Sequence, residues 1–295
     1  MTFSCFYIVL NIHHGMKKIK IFLLLVLCTL VAQAQKQYQL ASPDGKLQTT
    51  VNAGEKLTYD ITFNGQQILE TSPLSMTLSN GEVWGENDKP SKVSRKSVNG
   101  VVKTPFYRAT EVPEVYNEMT MKFKGFNVEF RAYNDGIAYR FVNTLKKPFN
   151  VVNELVNYQF PTDATASVPY VKPRKNQNKY GTSFENYYEN LPLSKVDQEK
   201  LVFLPLVVSL ENNVKVCITE VTLENYPGLF ITGQGNTQLL GEFAPYPKTY
   251  EHGGHNMLQM LVRETENFIA KVEKPRNFPW RVAIVTENDK DLAST

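Results

Sequence analysis

The sequence has very little cysteine and offers no means of forming a disulfide framework. Three cysteines occur in 295 residues, and two of them, Cys5 and Cys28, fall in the leader-like segment before residue 35. Cys217 is then the only thiol of the processed chain, so no internal disulfide can form and a hydrophobic core must supply the stability. The alternating, strand-like residues 214–218 around Cys217 predict a buried, unreactive side chain.

An excess of charge of one sign is also missing. The chain has 32 Lys and Arg against 29 Asp and Glu, for a net charge of +3. Nucleic-acid-binding proteins concentrate basic residues on one face, whereas the largest clusters after the leader are residues 146–147 and 172–175. These clusters read as solvated surface, and the composition excludes nucleic acid as a partner.

The N-terminal segment has the pattern of an export signal. Lys17, Lys18 and Lys20 precede the apolar residues 21–31, and Ala32-Gln33-Ala34 supplies small residues at the positions read by signal peptidase. We therefore predict a signal peptide over residues 1–34, with the true start at Met16. The apolar run is shorter than the ~20 residues that a membrane span needs. The expected product is exported, periplasmic or extracellular, without a membrane span after cleavage.

No long stretch has a helical period, and the rest of the chain predicts β-structure. Residues 57–63 alternate before the turn Asn64-Gly65, and residues 126–130 alternate before the turn Asn134-Asp135-Gly136. We predict an all-β fold, with one large antiparallel sandwich over residues 35–286 and the start of a linker over 287–295. Residues 171–200 are the least β-like part and predict a long loop of the kind that carries function.

Three separated segments resemble a known family. They are Tyr116-Asn117-Glu118 with residues 126–141, residues 184–195, and residues 278–285, with weaker agreement at residues 42–45 and 220–228. Together they are similar to the N-terminal domain of glycoside hydrolase family 97. That family contains secreted α-glucosidases and α-galactosidases of gut-type bacteria, which act in polysaccharide utilisation.

The resemblance implies a fold, a partner and a metal. The family's N-terminal domain is a β-super-sandwich similar to galactose mutarotase domains, and it packs against a catalytic (β/α)₈ barrel whose sugar site it helps to shape. It also supplies one glutamate to a calcium ion, and by position in the matching run that residue is Glu185. Calcium takes roughly 6–8 oxygen ligands, so the remaining carboxylates are expected from the barrel.

Aromatic residues and histidines provide the other candidate sites. Tyr187, Tyr188 and Trp280 are candidate carbohydrate-binding residues, because an aromatic ring presents a flat apolar face to a sugar; packing in the core or against the barrel is the alternative. His252 and His255 with Glu251 hold possible zinc ligands. Their glycine-rich spacing favours an ordinary polar turn between strands.

The resemblance implies that this chain has no catalytic residues of its own. A (β/α)₈ barrel needs at least ~200 residues, and only residues 286–295 follow the segment that closes the family's domain. We expect a non-catalytic domain of a secreted α-glycosidase, with an α-linked oligosaccharide and the barrel as partners. The alternative is a stand-alone exported carbohydrate-binding protein without catalysis. A stand-alone epimerase, suggested by fold analogy alone, ranks last.

Overall fold

The computed structural model of the chain describes residues 36–106, 109–172, 178–181 and 184–292. The predicted signal peptide, residues 1–34, lies outside these ranges, and so do residues 293–295 at the end of the predicted linker. The β-fold described below lies within the compact unit Gln37–Thr295, apart from the first residue of its first strand. None of the helices in the described ranges has the length and apolar character needed to cross a membrane.

Strands make up most of the described chain. A short α-helix, α1 (Asp289–Leu292), follows the last of them. In chain order the strands are β1 (Lys36–Ala41), β2 (Leu47–Ala53), β3 (Thr58–Phe63), β4 (Gln66–Pro73), β5 (Ser75–Leu78), β6 (Val83–Trp84), β7 (Lys92–Lys103), β8 (Glu111–Lys122), β9 (Phe126–Tyr133), β10 (Gly136–Asn143), β11 (Phe149–Leu155), β12 (Asn157–Gln159), β13 (Thr165–Pro169), β14 (Tyr188–Pro192), β15 (Leu206–Ser209), β16 (Lys215–Val221), β17 (Leu229–Gly233), β18 (Gln238–Phe243), β19 (Pro247–Gly253), β20 (Gln259–Thr265), β21 (Ala270–Val272), β22 (Arg276–Asn277) and β23 (Trp280–Thr286).

These strands assemble into one large sheet and several smaller ones. The large sheet has the order β14-β13-β15-β16-β23-β10-β9-β8-β7, and β22 also pairs with β10. The smaller sheets are β1-β2-β3-β4, β21-β11-β5-β6, β12-β18-β17 and β19-β20. Neighbouring strands run antiparallel, as in the pairs β9–β10, β10–β23 and β16–β23. The predicted all-β, antiparallel fold is confirmed.

The predicted turns join the strands that the sequence pattern indicates. Asn64 and Gly65 have φ angles of 50° and 80°, the left-handed conformation that a two-residue hairpin turn requires between β3 and β4. The backbone N–H of Gly45 donates to the carbonyl of Ser42 at 3.0 Å and closes the turn between β1 and β2. The loop between β9 and β10 is also two residues long, because Tyr133 pairs with Gly136.

One face of the large sheet carries the main core. Strand β9 alternates strictly, and its inward residues are at most 1% exposed: Phe126, Val128, Phe130 and Ala132. The ring of Tyr59 in β3 lies 6.2 Å from that of Phe130, and Trp84 in β6 stacks on Phe126 at 4.8 Å. Two smaller sheets therefore cover the same face of the large sheet, and each large apolar side chain buried there contributes about 1.5–3 kcal/mol.

The opposite face of the large sheet carries a half-buried network of charges. Glu118 in β8 accepts hydrogen bonds from Arg131 Nε at 2.8 Å and pairs with Lys96 Nζ at 3.0 Å. Burial alone would raise the pKa of Glu118, but the bonds from Lys96 and Arg131 hold that pKa below its ordinary value. The ionised carboxylate therefore stabilises the fold.

Glu118→Gln should lower the free energy of unfolding by about 1.5 kcal/mol near neutral pH, the lower end for hydrogen bonds to charged groups. Because the folded pKa is lowered, this contribution is complete above the unfolded pKa of about 4.3 and is lost as the pH falls through the folded value. Urea unfolding near neutral pH and at about pH 3 checks this, with the exposed Glu111→Gln on the same strand as control. If Glu118→Gln lowered the free energy of unfolding by the same amount at both pH values, the prediction would be contradicted.

A buried ion cluster ties the large sheet to β11. The side chain of Arg281 in β23 is fully buried and donates to both oxygens of Glu154, at 2.9 and 2.6 Å, and to Glu220 at 2.5 Å. Tyr226 donates to Glu154 at 2.9 Å, and the backbone N–H of Leu229 donates to Glu220 at 2.8 Å. Burial raises the pKa of Glu220, which Arg281 partly offsets, while the two carboxylates raise the pKa of Arg281 against the effect of its own burial.

Candidate functional site

Glu185 lies just before β14, the terminal strand in the order of the large sheet. The side-chain amide of Asn186 donates to the carbonyl of Tyr170 at 2.9 Å, and the N–H of Tyr187 donates to the Asn186 side chain at 3.0 Å. From Tyr188 onwards the chain is fixed by pairing with β13. The long loop predicted over residues 171–200 thus contains a short strand, and the residues just after Glu185 are held in place.

A small hydrophobic core packs against this segment. This satellite core consists of Val171, Leu201, Phe203 and Phe230, all at most 8% exposed. The ring of Phe184 lies 5.5 Å from that of Phe203 and 6.0 Å from that of Phe230, and Tyr188 lies 6.4 Å from Phe203. Glu185 is therefore flanked on one side by an aromatic anchor and on the other by a hydrogen-bonded asparagine.

Three aromatic rings in this segment are nevertheless open to solvent. Phe184 is 59% exposed, Tyr187 91% and Tyr188 52%. Large aromatic side chains at a single exposed site are typical of surfaces that contact a ligand or another protein. Tyr187 and Tyr188 thus lie in the same exposed segment as Glu185, and ring contacts with the satellite core restrict the movement of Phe184 and Tyr188.

Trp280, the third predicted sugar-binding residue, does not join this group. It begins β23, four strands away from β14 in the order of the large sheet. The ring is 6% exposed, and the guanidinium carbons of Arg131 and Arg140 lie 4.7 and 4.3 Å from its centroid. Because these two cations and the sheet cover the indole, it offers no open face to a sugar. Its observed role is packing, the alternative that the sequence left open.

The Glu185 carboxylate has room for a cation but few partners to share it. The residue is exposed, and no hydrogen bond or ion pair occupies its side chain within the described ranges. No group of three or more His, Cys, Asp or Glu side chains in that part of the chain is placed to hold a metal ion. A calcium ion takes roughly 6–8 oxygen ligands, and one carboxylate supplies at most two. The residue fits a single ligand of a shared site.

Glu242 borders the same satellite core but is already engaged. It accepts the hydroxyl of Tyr180 at 2.5 Å and forms an ion pair with Lys179. Burial, followed by the bond to Glu242, raises the pKa of the Tyr180 hydroxyl. A carboxylate with both a hydroxyl donor and an ammonium partner is poorly disposed to bind a second cation, so Glu242 does not compete with Glu185 as a candidate ligand.

The histidine pair forms the turn that its glycines favour. His252 lies near the end of β19, and His255 begins a short 3₁₀ turn that leads into β20. Both imidazoles are exposed, and Glu251 forms a 2.8 Å hydrogen bond with Arg263 on the neighbouring strand. The segment is a hairpin turn between β19 and β20, the arrangement that the glycine-rich spacing favours.

Sequence reasoning missed the residues that hold the site in place. Phe203 and Phe230 lie 18 and more residues after Glu185, and the anchor Asn186 looks like any loop asparagine. The available signal was two short apolar runs, residues 201–204 directly after the predicted loop and residues 229–231 further along the chain. Such runs indicate burial, but they do not say which segment they bury against.

Comparison with known proteins assigns the chain. Residues 40–295 match the family model Glycosyl-hydrolase 97 N-terminal. A retaining alpha-galactosidase from Bacteroides thetaiotaomicron is 60% identical over 285 residues, which are 95% of this chain and 43% of that protein. The chain thus spans less than half the length of the curated relative that it matches.

Solved structures agree on the fold. A glycoside hydrolase family 97 enzyme from Pseudoalteromonas sp. strain K8, in complex with acarbose, superimposes with a TM-score of 0.69 at 20% identity over 86% of this chain and 36% of that one. A beta-arabinopyranosidase superimposes with a TM-score of 0.70 at 21% identity, over 85% of this chain and 40% of that one. At these identities the likeness concerns the fold alone. With the family model matching nearly the whole described chain, this protein belongs to the glycoside hydrolase family 97 N-terminal domain family.

Proposed function

We propose that this chain acts as the non-catalytic N-terminal domain of an exported α-glycosidase and that Glu185 donates one carboxylate to a calcium ion shared with a (β/α)₈ catalytic domain. The observation that carries the proposal is an exposed carboxylate, without a hydrogen-bond or ion-pair partner among the described residues, between an aromatic anchor and a hydrogen-bonded asparagine. A carboxylate on a segment that its neighbours hold in place loses less conformational entropy on binding a cation than one on a free loop. The shared site follows from the ligand count, because this chain brings too few oxygens to bind calcium tightly by itself.

The proposal extends to the substrate. The 60% identical relative is named a retaining alpha-galactosidase, and a structural neighbour holds acarbose, which supports an α-linked oligosaccharide as the sugar. Tyr187 and Tyr188 would border the sugar site, where their flat rings can stack on a pyranose face. The chemistry itself would come from carboxylates of the catalytic domain, and calcium would polarise oxygen atoms near them as a Lewis acid.

Export is part of the same proposal. The support is the basic, apolar and small-residue pattern of residues 17–34. The periplasm and the extracellular space are rich in calcium compared with the cytosol of most cells, so an exported domain would meet the ion that Glu185 is proposed to bind. The free thiol of Cys217 is compatible with an oxidising compartment, because it is buried and burial raises its pKa to about 11.

Glu185→Gln tests the calcium role in a chimera in which this chain replaces the matched part of the Bacteroides relative. We expect calcium binding measured by isothermal titration to weaken by about tenfold or more, since a charged ligand becomes a neutral one. The control is Glu199→Gln, an exposed glutamate of the same region that should leave the affinity unchanged. This chain alone should bind calcium only weakly. Equal affinity in the two chimeras would contradict the assignment of Glu185.

A further inference from the structure

The hairpin β19–β20 stands apart from the rest of the fold. Its two strands pair with each other from Pro247↔Thr265 to Gly253↔Gln259, and no other strand in the described chain joins their sheet. A two-stranded hairpin is at best marginally stable in water and normally needs an apolar surface to pack against. The hairpin is therefore a segment whose own contacts do not account for its stability.

One face of this hairpin is apolar and open. Tyr250 pairs with Val262 and His252 pairs with Met260, so these four side chains share a face. Tyr250 is 61% exposed and Met260 48%. At the tip, Met257 and Leu258 are 62% and 81% exposed. Flexible methionines and an exposed tyrosine are residue types enriched in protein–protein interfaces.

The charges of the hairpin largely cancel one another. Arg263 donates to Glu251 at 2.8 Å, and Lys248 lies 3.5 Å from Glu264. Apart from His252, the surface that remains for a partner is apolar. A charged ligand such as a phosphate or a nucleic acid would gain little from it, whereas an apolar protein surface would gain by burying it.

The hairpin borders the surface that carries Glu185. A cavity of about 710 Å³ separates it from the loop around Tyr180, with Tyr226, Tyr246, Met260 and Leu261 among its lining residues. Tyr180 lies 5.9 Å from Phe230, and Phe230 also contacts Phe184 next to Glu185. These ring contacts connect the cavity beside the hairpin to Phe184, the residue that precedes the proposed calcium ligand.

We propose that the hairpin Pro247–Thr265 is a docking arm that packs Tyr250, Met260 and its tip, Met257 and Leu258, against the catalytic domain. This inference rests on the proposed function: Glu185 can share a calcium ion only with a domain that covers the surface beside it, and the hairpin borders that surface. More than half of the Bacteroides relative lies outside the match, which leaves ample chain for a domain of this kind. The arm gains its missing apolar packing when that domain is present.

Hydrogen exchange tests the docking arm in the same chimera. We expect the amides of β19 and β20 to exchange about tenfold or more slowly in the chimera than in this chain alone, because docking suppresses local opening. Replacing Met257, Leu258 and Met260 with serine should remove that protection and lower the melting temperature of the chimera. The same triple substitution should leave the stability of this chain alone unchanged, since all three side chains are exposed.

A matched control is available on another hairpin. Val101, Val102 and Phe106 are 58%, 42% and 100% exposed at the far end of β7 and beyond it. Their replacement with serine should affect neither the protection of β19–β20 nor the melting temperature of the chimera. If both triple variants lost the protection of β19–β20 and the melting temperature to the same extent, the effect would be one of general solubility, and the proposal would be overturned.

The remaining outcomes separate this inference from the proposed function. If Glu185 governs calcium affinity while β19–β20 exchanges equally with and without the catalytic domain, the docking arm is wrong and the calcium role stands. If the hairpin becomes protected in this chain alone as its concentration rises, with dimers in sedimentation equilibrium, the occupant is a second copy and the proposal fails. Should the chimera not fold, the serine substitutions at the aligned positions of the Bacteroides relative give the same comparison, and unchanged protection there overturns the proposal.

Discussion

Arg281→Met is expected to cost about 3–5 kcal/mol of folding stability, the range observed when one partner of a buried ion pair is removed. The substitution leaves Glu154 and Glu220 side by side without the guanidinium that neutralises them, and Glu154 is 2% exposed. Domains of this kind are stable by roughly 5–15 kcal/mol, so the loss is a large fraction of the total. Urea unfolding followed by circular dichroism measures it.

Two comparisons make the Arg281 result specific. Arg140→Met removes an arginine of the neighbouring strand that keeps some contact with solvent, pairs with Glu129 alone and packs on Trp280, and it should cost less, about 1.5–3 kcal/mol. Adding Glu154→Gln and Glu220→Gln to Arg281→Met removes the uncompensated charges and should recover part of the stability. If Arg281→Met and Arg140→Met were equally mild, the cluster would not be the electrostatic centre that its geometry indicates.

Phe203→Ala is expected to cost about 3 kcal/mol and to loosen the candidate site. Phe203 is 8% exposed and lies beneath both Phe184 and Tyr188. Truncating a buried phenylalanine loses its transfer free energy and leaves a cavity, for a total of about 3–5 kcal/mol. Some collapse of a core this close to the surface favours the lower end. Urea unfolding gives the stability, and faster hydrogen exchange of β14 reports the loosened segment.

The control for Phe203→Ala is the same substitution at a phenylalanine whose side chain is exposed to solvent. Phe106 is fully exposed, so Phe106→Ala should change stability by less than about 0.5 kcal/mol. In the chimera with the catalytic region, Phe203→Ala should also weaken calcium binding, because Glu185 then pays more conformational entropy on binding. A destabilised Phe203→Ala chimera with unaltered calcium affinity would show that the satellite core does not position Glu185.

The Arg281 cluster and the satellite core stabilise different parts of the same fold. The buried cluster around Arg281 holds β11, β16 and β23 together, and Tyr226 extends from it to the cavity beside the β19–β20 hairpin. The satellite core then supports the segment with Glu185 at the edge of the large sheet. Substitutions in the Arg281 cluster should lower the stability of the whole fold. Substitutions in the satellite core should mainly affect the segment with Glu185 and should lower the overall stability less.

The sequence alone was sufficient for the fold class, the turns and the family. Strict alternation in residues 126–133 assigns one face to the core because strand side chains alternate, and Asn64-Gly65 favours a tight hairpin because both residues tolerate positive φ. These are local rules, and the structure follows them. The family resemblance rested on segments that the comparison then matched over residues 40–295.

Only the tertiary structure decided what depends on distant partners. Trp280 looks like a sugar platform in sequence, but strands from elsewhere in the chain bring Arg131 and Arg140 onto its ring. Arg281 and Glu154 are the only charged residues of β23 and β11, and Glu220 shares β16 with Lys215; the pairing of the three appears only when these strands meet. Local patterning determined which residues turn inward, whereas long-range packing determined which of them touch, because contact between residues over a hundred positions apart follows no sequence period.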